Sequence, residues 1–457
     1  MASQQRPIST QTLEVGPESN ERRWTSDGSV TVNVSEEQPS EKKEEEDVEA
    51  SPTIPTPPVD DFPDGGLAAW SVVFGSTCAI FATFGLVNAW GVFQSYYKRI
   101  LIPETDTSTI AWIGSIQYAL VFFPGLIAGR LFDLGYFKRT MFISSVILAV
   151  ATVLTAECQE FWQLLLCQGL LTGFCCGMIF SPIPAVASQW FKTRRALAFG
   201  VMSTGSSLGG TIIPIAASNL IELIGFKWTM RVIALIELFM LTIANLTLRR
   251  RIEARKQTGP FFAWHDFKKP AFNVFAIGGI LNFLGLFTLL TFIDLSATSI
   301  GISPKFSFYL VSITNAGSGL GRVSSGLLAD RFGALTVTGP LTLMCAIMTY
   351  IWPFVSTKGA LIAIGIVYGF CSGAYVSLLP VPLMMMGDMH DAGRRTGSFL
   401  TCIALGAVAG PPISGAIAQA TDGFKSVGYY AGSCILGAVG FMYLTKYLMT
   451  GSLRGKC

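Results

Sequence analysis

An arginine in the middle of an apolar, glycine-rich stretch is the residue of this chain best equipped for chemistry. Arg322, in NAGSGLGRVSSG, lies eight residues before Asp330, about 12 Å along a helix at 1.5 Å per residue. Gly317, Gly319 and Gly321 leave room beside it. A guanidinium kept from water costs about 2.5–3.5 kcal/mol in a lipid-embedded helix and marks a functional position by default. Contact with a solute is the functional reading; pairing with another helix, or snorkelling to an interface, is the structural alternative. Glu237 is the matching acid, deep in another apolar run, where a carboxyl can pick up and release a proton or simply hydrogen-bond to a neighbouring helix. Asn88, Gln117, Asn282, Asn315, Tyr368 and Tyr375 are neutral polar groups in similar surroundings. Tyr368 and Tyr375 are seven apart and so share a helix face. Each could contact a solute, and each could equally be a helix–helix hydrogen bond.

Other chemistries find no support. The two histidines, His265 and His390, fall in polar connecting sequence, and the ten cysteines contain no CxxC pair, which argues against zinc and against a disulfide framework. Cys175 and Cys371 read as small packing residues. No GxxxxGK[ST] loop occurs, so nucleotide-driven work is not expected within the chain. Neither a cofactor nor a nucleic-acid partner is expected.

The elements that must position these groups are helices in lipid. Of 457 residues 51% are hydrophobic and 13% charged, about half the charge of a soluble domain. Residues 1–62 differ: Glu36 to Glu49 is mostly acid and lysine and Ser51 to Pro58 is proline-rich, the composition of a disordered tail. Beyond it, apolar runs able to cross about 30 Å of hydrocarbon begin near Leu67, Ile110, Thr140, Phe161, Ala196 and Trp228. Six more begin near Ala271, Pro304, Ala334, Gly359, Thr396 and Lys425. The expected fold is an all-α membrane protein of twelve transmembrane helices, because backbone polar groups in lipid must pair within their own span.

Expected boundaries follow: a tail over 1–62, six helices over 63–248, a basic linker over 249–270, six helices over 271–450 and a short tail over 451–457. Lysine and arginine collect on one side: Arg130, Lys138, Arg139, Lys192, Arg194, Arg195, the Arg249-to-Lys269 cluster, Arg331, Arg394 and Arg395. By the positive-inside rule that side is cytoplasmic, and both termini join it. Glu222, Lys227, Arg231 and Asp294 then fall at the opposite ends of their helices and read as a structural clasp.

The halves are copies. GLLTGFCCG at Gly169–Gly177 returns as GIVYGFCSG at Gly365–Gly373, Pro182-Ile183-Pro184 as Pro380-Val381-Pro382, Arg194-Arg195 as Arg394-Arg395, Gly210 as Gly410, and GRLFD ending at Asp133 as GLLAD ending at Asp330. The offsets stay within 196–200 residues, so two pseudo-symmetric six-helix bundles are expected. Glycines at every fourth position line one face and let a second backbone approach. The paired prolines should bend or end their helices.

Two bundles, a cytoplasmic link and GRLFDLGYFKR between helices two and three resemble the major facilitator superfamily. The resemblance implies a secondary transporter working by alternating access, with a small-molecule substrate, a possible co-transported proton and a lipid bilayer around it, and no enzymatic activity. It also makes Gly129, Asp133, Lys138, Arg139, Arg194, Arg195, Asp330 and Arg331 gate residues. Asp133 could hold the gate by pairing with an arginine or by capping a helix N-terminus.

DGGLAAWSVVFG, Asp64 to Gly75, and WFKTRRALAFGVMSTGSSLGG, Trp190 to Gly210, look like the two signature segments of the monocarboxylate porter family. The acidic tail is similar to that of its fungal members. This implies a monocarboxylate or related organic anion as substrate, a plasma-membrane location, and Arg322 as the residue that takes the carboxylate. Where proton-coupled members carry a lysine in the first helix, alignment on Val72–Gly75 places Asn88, which cannot carry a proton. Efflux of a larger fungal secondary metabolite is the alternative reading on the same fold. A nutrient sensor that transports nothing is a third.

Overall fold

The computed structural model describes residues 62–252, 264–421 and 423–455. The expected tail and the middle of the basic linker lie outside the described residues. Among those described there is no strand. The helices are α1 Gly66–Leu101, α2 Thr109–Asp133, α3 Phe137–Thr155 and α4 Phe161–Ser188, followed by one long rod, Arg195–Thr247. Gly225 interrupts that rod with φ 78°, a left-handed conformation that glycine adopts without strain. It therefore holds two helices, α5 over 195–224 and α6 over 226–247. The second half contains α7 Pro270–Ser299, α8 Pro304–Phe332, α9 Ala334–Phe354, α10 Lys358–Met385, α11 Met389–Thr421 and α12 Lys425–Thr450. All but α8 belong to rods long and apolar enough to cross a membrane; α8 is the one that carries Arg322 among serines and glycines.

The outer faces are apolar. Leu235, Phe239 and Leu320 are 65%, 63% and 70% exposed, an arrangement suited to lipid rather than water. Inside, the repeated glycines do what their spacing predicts. Gly173 and Gly177 of α4 lie on the α2 backbone at Gln117 and Leu120, and Gly369 and Gly373 of α10 lie on the α8 backbone at Thr314 and Ser318. Cys175 and Cys371 are buried beside these contacts. The prolines break both helices: α4 turns at Ser181–Pro182, and α10 at Leu379.

A Cβ on Gly173 would stand 2.8 Å from the Gln117 carbonyl oxygen and 2.9 Å from its Cα, and backbone cannot step aside. Gly173→Val should therefore destabilise the folded protein by about 1–3 kcal/mol. Gly440 of α12 has nothing within 4 Å of such a Cβ, and Gly440→Ala should cost nothing. Thermal unfolding of the two variants in one detergent checks the contrast; equal midpoints would count against close helix packing at Gly173.

The halves meet at the basic end. Gly125 and Gly129 of α2 pack on Gly397 and Gly393 of α11, while Gly200 and Ala196 of α5 pack on Arg322 and Gly326 of α8. At the opposite end α1, α2, α5, α7, α8 and α11 stand apart around a vestibule of about 590 Å³.

Candidate functional site

Below the vestibule, between the halves, is a cavity of about 100 Å³. Its wall is aromatic: Phe84, Tyr118, Phe122, Phe180, Phe283 and Phe287 face it. Among the described residues, Arg322 alone brings a charged side chain to its lining. Arg322 is 8% exposed; its guanidinium donates through Nε to Ser318 Oγ at 3.2 Å and through Nη1 to the Ser203 carbonyl at 3.0 Å. Among the described residues no carboxylate pairs with it. Two neutral acceptors hold the fork in place, and its charge is left for something else. Ser318 is itself braced by Ser207 Oγ at 3.3 Å, so α5 positions the arginine of α8 across the interface between halves.

Asn88 and Asn315 join Arg322 at this cavity. Asn315 donates to the Gly210 carbonyl at 3.1 Å, and Asn88 lies beside the same glycine. The other neutral candidates stand elsewhere. Tyr368 is wholly buried and donates to the Leu286 carbonyl, tying α10 to α7. Tyr375 packs near Phe283 and approaches Asn282 without reaching hydrogen-bond geometry. Gln117 and Asn282 are buried, and their amide groups find no hydrogen-bond partner among the described residues. None of these four lines the cavity. Glu237 is 1% exposed and accepts from Thr152 Oγ1 at 2.8 Å; it sits between α3 and α6, inside the first half and off the cavity wall. The aromatic lining escaped sequence reading, although Tyr118 with Phe122 and Phe283 with Phe287, each pair four apart, carried a detectable one-face signal.

The basic end of the cavity is closed by two equivalent caps. Asp133, at the end of α2, accepts from the amides of Gly393 at 3.1 Å and Arg394 at 2.8 Å, at the start of α11. Asp330, near the end of α8, accepts from Ala196 at 2.9 Å and Leu197 at 3.0 Å, at the start of α5. Each carboxylate thus satisfies orphan amides and meets the positive end of a helix belonging to the other half. A Cβ on Gly129 would collide with the Gly393 carbonyl, so the small residue lets the aspartate reach.

The remaining gate candidates brace their own half. Lys138 donates to the Asn245 carbonyl at 2.5 Å, Arg195 Nε to Phe191 at 3.0 Å, and Arg331 lies over the Phe332 ring. Arg139 and the Arg194 side chain are exposed. At the opposite end Lys227 and Arg231 clasp Glu157 at 2.7 and 2.9 Å. Glu222 and Asp294 line the vestibule instead, so the expected clasp is made with the acid of the α3–α4 turn.

The segments around Asp64 and Trp190 come together. Asp64 Oδ1 accepts from the amides of Lys192, Thr193 and Arg194 at 2.6, 2.8 and 3.4 Å. Partial burial alone would raise the carboxyl, but these amides outweigh it and hold it below the usual carboxylate range. A lowered value means the contact is complete above the unfolded-state range and is lost as pH falls through the lowered one. Asp64→Asn should speed amide exchange at 192–194 near neutral pH, read by hydrogen–deuterium exchange; unchanged protection would discount the carboxylate's role.

An all-helical membrane protein with a dead-ended cavity between repeated halves, capped reciprocally at one end, is built as a solute transporter. The family profile described as Major Facilitator Superfamily matches residues 67–411 and 275–450, and the chain belongs to that superfamily. It is 34% identical over 395 residues to the MFS transporter asaE of Aspergillus flavus, covering 85% of this chain and 89% of that one. It is 33% identical over 382 residues to the aspyridones efflux protein apdF of Emericella nidulans, covering 83% and 78%. Among solved structures, the transporter FucP in its outward conformation matches with a TM-score of 0.62 at 15% identity, over 81% of this chain and 98% of that one. The human organic anion transporter MFSD10 matches with the same score of 0.62 at 15% identity, over 84% and 99%.

Proposed function

We propose that this chain is a secondary transporter that exports an organic anion of the secondary-metabolite kind by alternating access. The observation that carries the reading is Arg322: a buried guanidinium held by two neutral acceptors, with no carboxylate partner among the described residues, in an aromatic cavity. A fixed positive charge on an apolar wall favours an anion with a sizeable apolar body. The relative from Emericella nidulans, an efflux protein for aspyridones, favours the same direction. The positive-inside rule puts the basic end and both termini in the cytoplasm, with the plasma membrane as the proposed location. The state described is then open to the outside, and rupture of the Asp133 and Asp330 caps would open the other side. Glu237 remains the proton-site candidate of the spans, behind the cavity wall and not in the path.

Uptake of a small monocarboxylate is the second reading, favoured by the union of the Asp64 and Trp190 segments. Inside-out vesicles carrying an imposed pH gradient separate the two. Saturable accumulation of aromatic acids, with lactate ignored, is expected. Saturable lactate flux that aromatic acids do not inhibit would transfer the assignment to the second reading. No flux of any acid by folded protein would favour a sensor.

A further inference from the structure

Five residues line both the vestibule and the deeper cavity: Asn88, Tyr118, Phe287, Leu290 and Asn315. They form a collar where the vestibule meets the cavity. One side is aromatic. Tyr118 of α2 and Phe287 of α7 meet edge to face across the halves at 4.9 Å between centroids, and Phe122 and Phe283 repeat the crossing one turn away at 5.4 Å. The other side is polar. A Cβ on Gly210 would fall 2.6 Å from Asn88 Nδ2 and 3.3 Å from Asn315 Nδ2, so both amides gather at that glycine. Asn88 is exposed and makes no hydrogen bond to the described residues, leaving its donors and acceptor for a guest.

The depth below the collar limits the guest. Asn315, Ser318 and Arg322 are spaced by three and four residues on one face of α8, and two turns span about 10 Å. The arginine leans back toward Ser318, so its charge lies one to two turns below the collar, about 5–10 Å. The cavity of about 100 Å³ has room for more than a single small group. An acid of two or three carbons cannot touch the guanidinium and the collar together. One with a ring and a short spacer can.

We propose that the collar is a second recognition point, and that the cargo is an elongated organic anion bearing a planar ring. Its charged group meets Arg322 and Ser318, a contact that rests on the anion reading above. Its ring lies at Tyr118 and Phe287, and a hydroxyl, carbonyl or amide on the ring faces Asn88 and Asn315.

The test is calorimetric binding to the full-length protein in lipid nanodiscs with four probes: 4-hydroxycinnamate, its amide, cinnamate and hexanoate. Wild type should prefer 4-hydroxycinnamate to hexanoate by about tenfold or more, since an aromatic contact adds to area burial. Tyr118→Leu and Phe287→Leu, which keep the site apolar, should each cut that ratio roughly three- to tenfold. Asn88→Ala should erase the preference for 4-hydroxycinnamate over cinnamate. A ratio unchanged in both leucine variants, hexanoate binding as tightly as the ring acids, or no ring acid binding at millimolar concentration to folded protein would each overturn the collar. The Arg322 reading fails separately: acid and amide would then bind alike in wild type, and the ring preference could still stand.

Discussion

Replacing Arg322 by lysine should weaken binding of an organic anion by roughly five- to 150-fold, about 1–3 kcal/mol, because the charge persists but the two-point planar grip is lost. Arg322→Gln should abolish saturable anion transport. The geometry makes the loss specific. Nε and Nη1 are already committed to Ser318 and Ser203, so the fork arrives preoriented, and a lysine has no second planar donor to replace what the serines fix. Flux measured against pH for wild type, Arg322→Lys and Glu237→Gln in the same vesicles gives the answer. Wild-type affinity in Arg322→Lys would remove the anion site. If protons drive the cycle through Glu237, the glutamine variant should lose the steep pH dependence, because Gln cannot titrate. Steepness surviving that change would place the proton elsewhere. Asn88 has no titrating side chain and so adds no step of its own to the pH profile.

The paired change Asp133→Asn and Asp330→Asn should alter turnover severalfold or more and leave cargo affinity near wild type. Each aspartate caps two backbone amides of a helix from the opposite half. Losing a cap costs about 0.5–2 kcal/mol, and asparagine keeps one acceptor while losing the charge that meets the helix dipole. The two sites are equivalent by the internal repeat, so each single variant should show a smaller effect of the same sign, and together they should tilt the balance away from the state closed at the basic end. Neither residue lines the cavity, which is why affinity should hold. Maximal rate and half-saturation measured for the single and double variants decide the matter; a large affinity change at unchanged maximal rate would refute a gating role.

Much of this was legible before any coordinate. Helix starts near Leu67, Phe161, Pro304 and Lys425 fall where composition and hydropathy place them, because lipid leaves a backbone no alternative to intrahelical pairing. The glycine ladders of α4 and α10 pointed to close approach, and the approach is there, on α2 and α8. Of the two roles open to Asp133, pairing with an arginine or capping a helix, its carboxylate takes the second, accepting from the amides of Gly393 and Arg394. What the spacing could not supply was the partner of each group. Gln117, Asn282, Tyr368 and Tyr375 look like Asn88 and Asn315 in a one-dimensional reading. The first four are buried away from the cavity lining, and the last two line it.

By itself the sequence determined that this is an all-helical membrane protein with an internal repeat and a charge on α8 that had to be explained, because hydropathy, periodicity and repetition act along the chain. Only the tertiary structure decided that Arg322 faces an aromatic cavity, that Glu237 stands behind its wall, that Asp133 and Asp330 cap each other's halves, and that a collar of two asparagines and an aromatic pair guards the entrance. Those facts depend on which face of each helix meets which neighbour, and residues more than a hundred positions apart settle that through packing that no local pattern encodes.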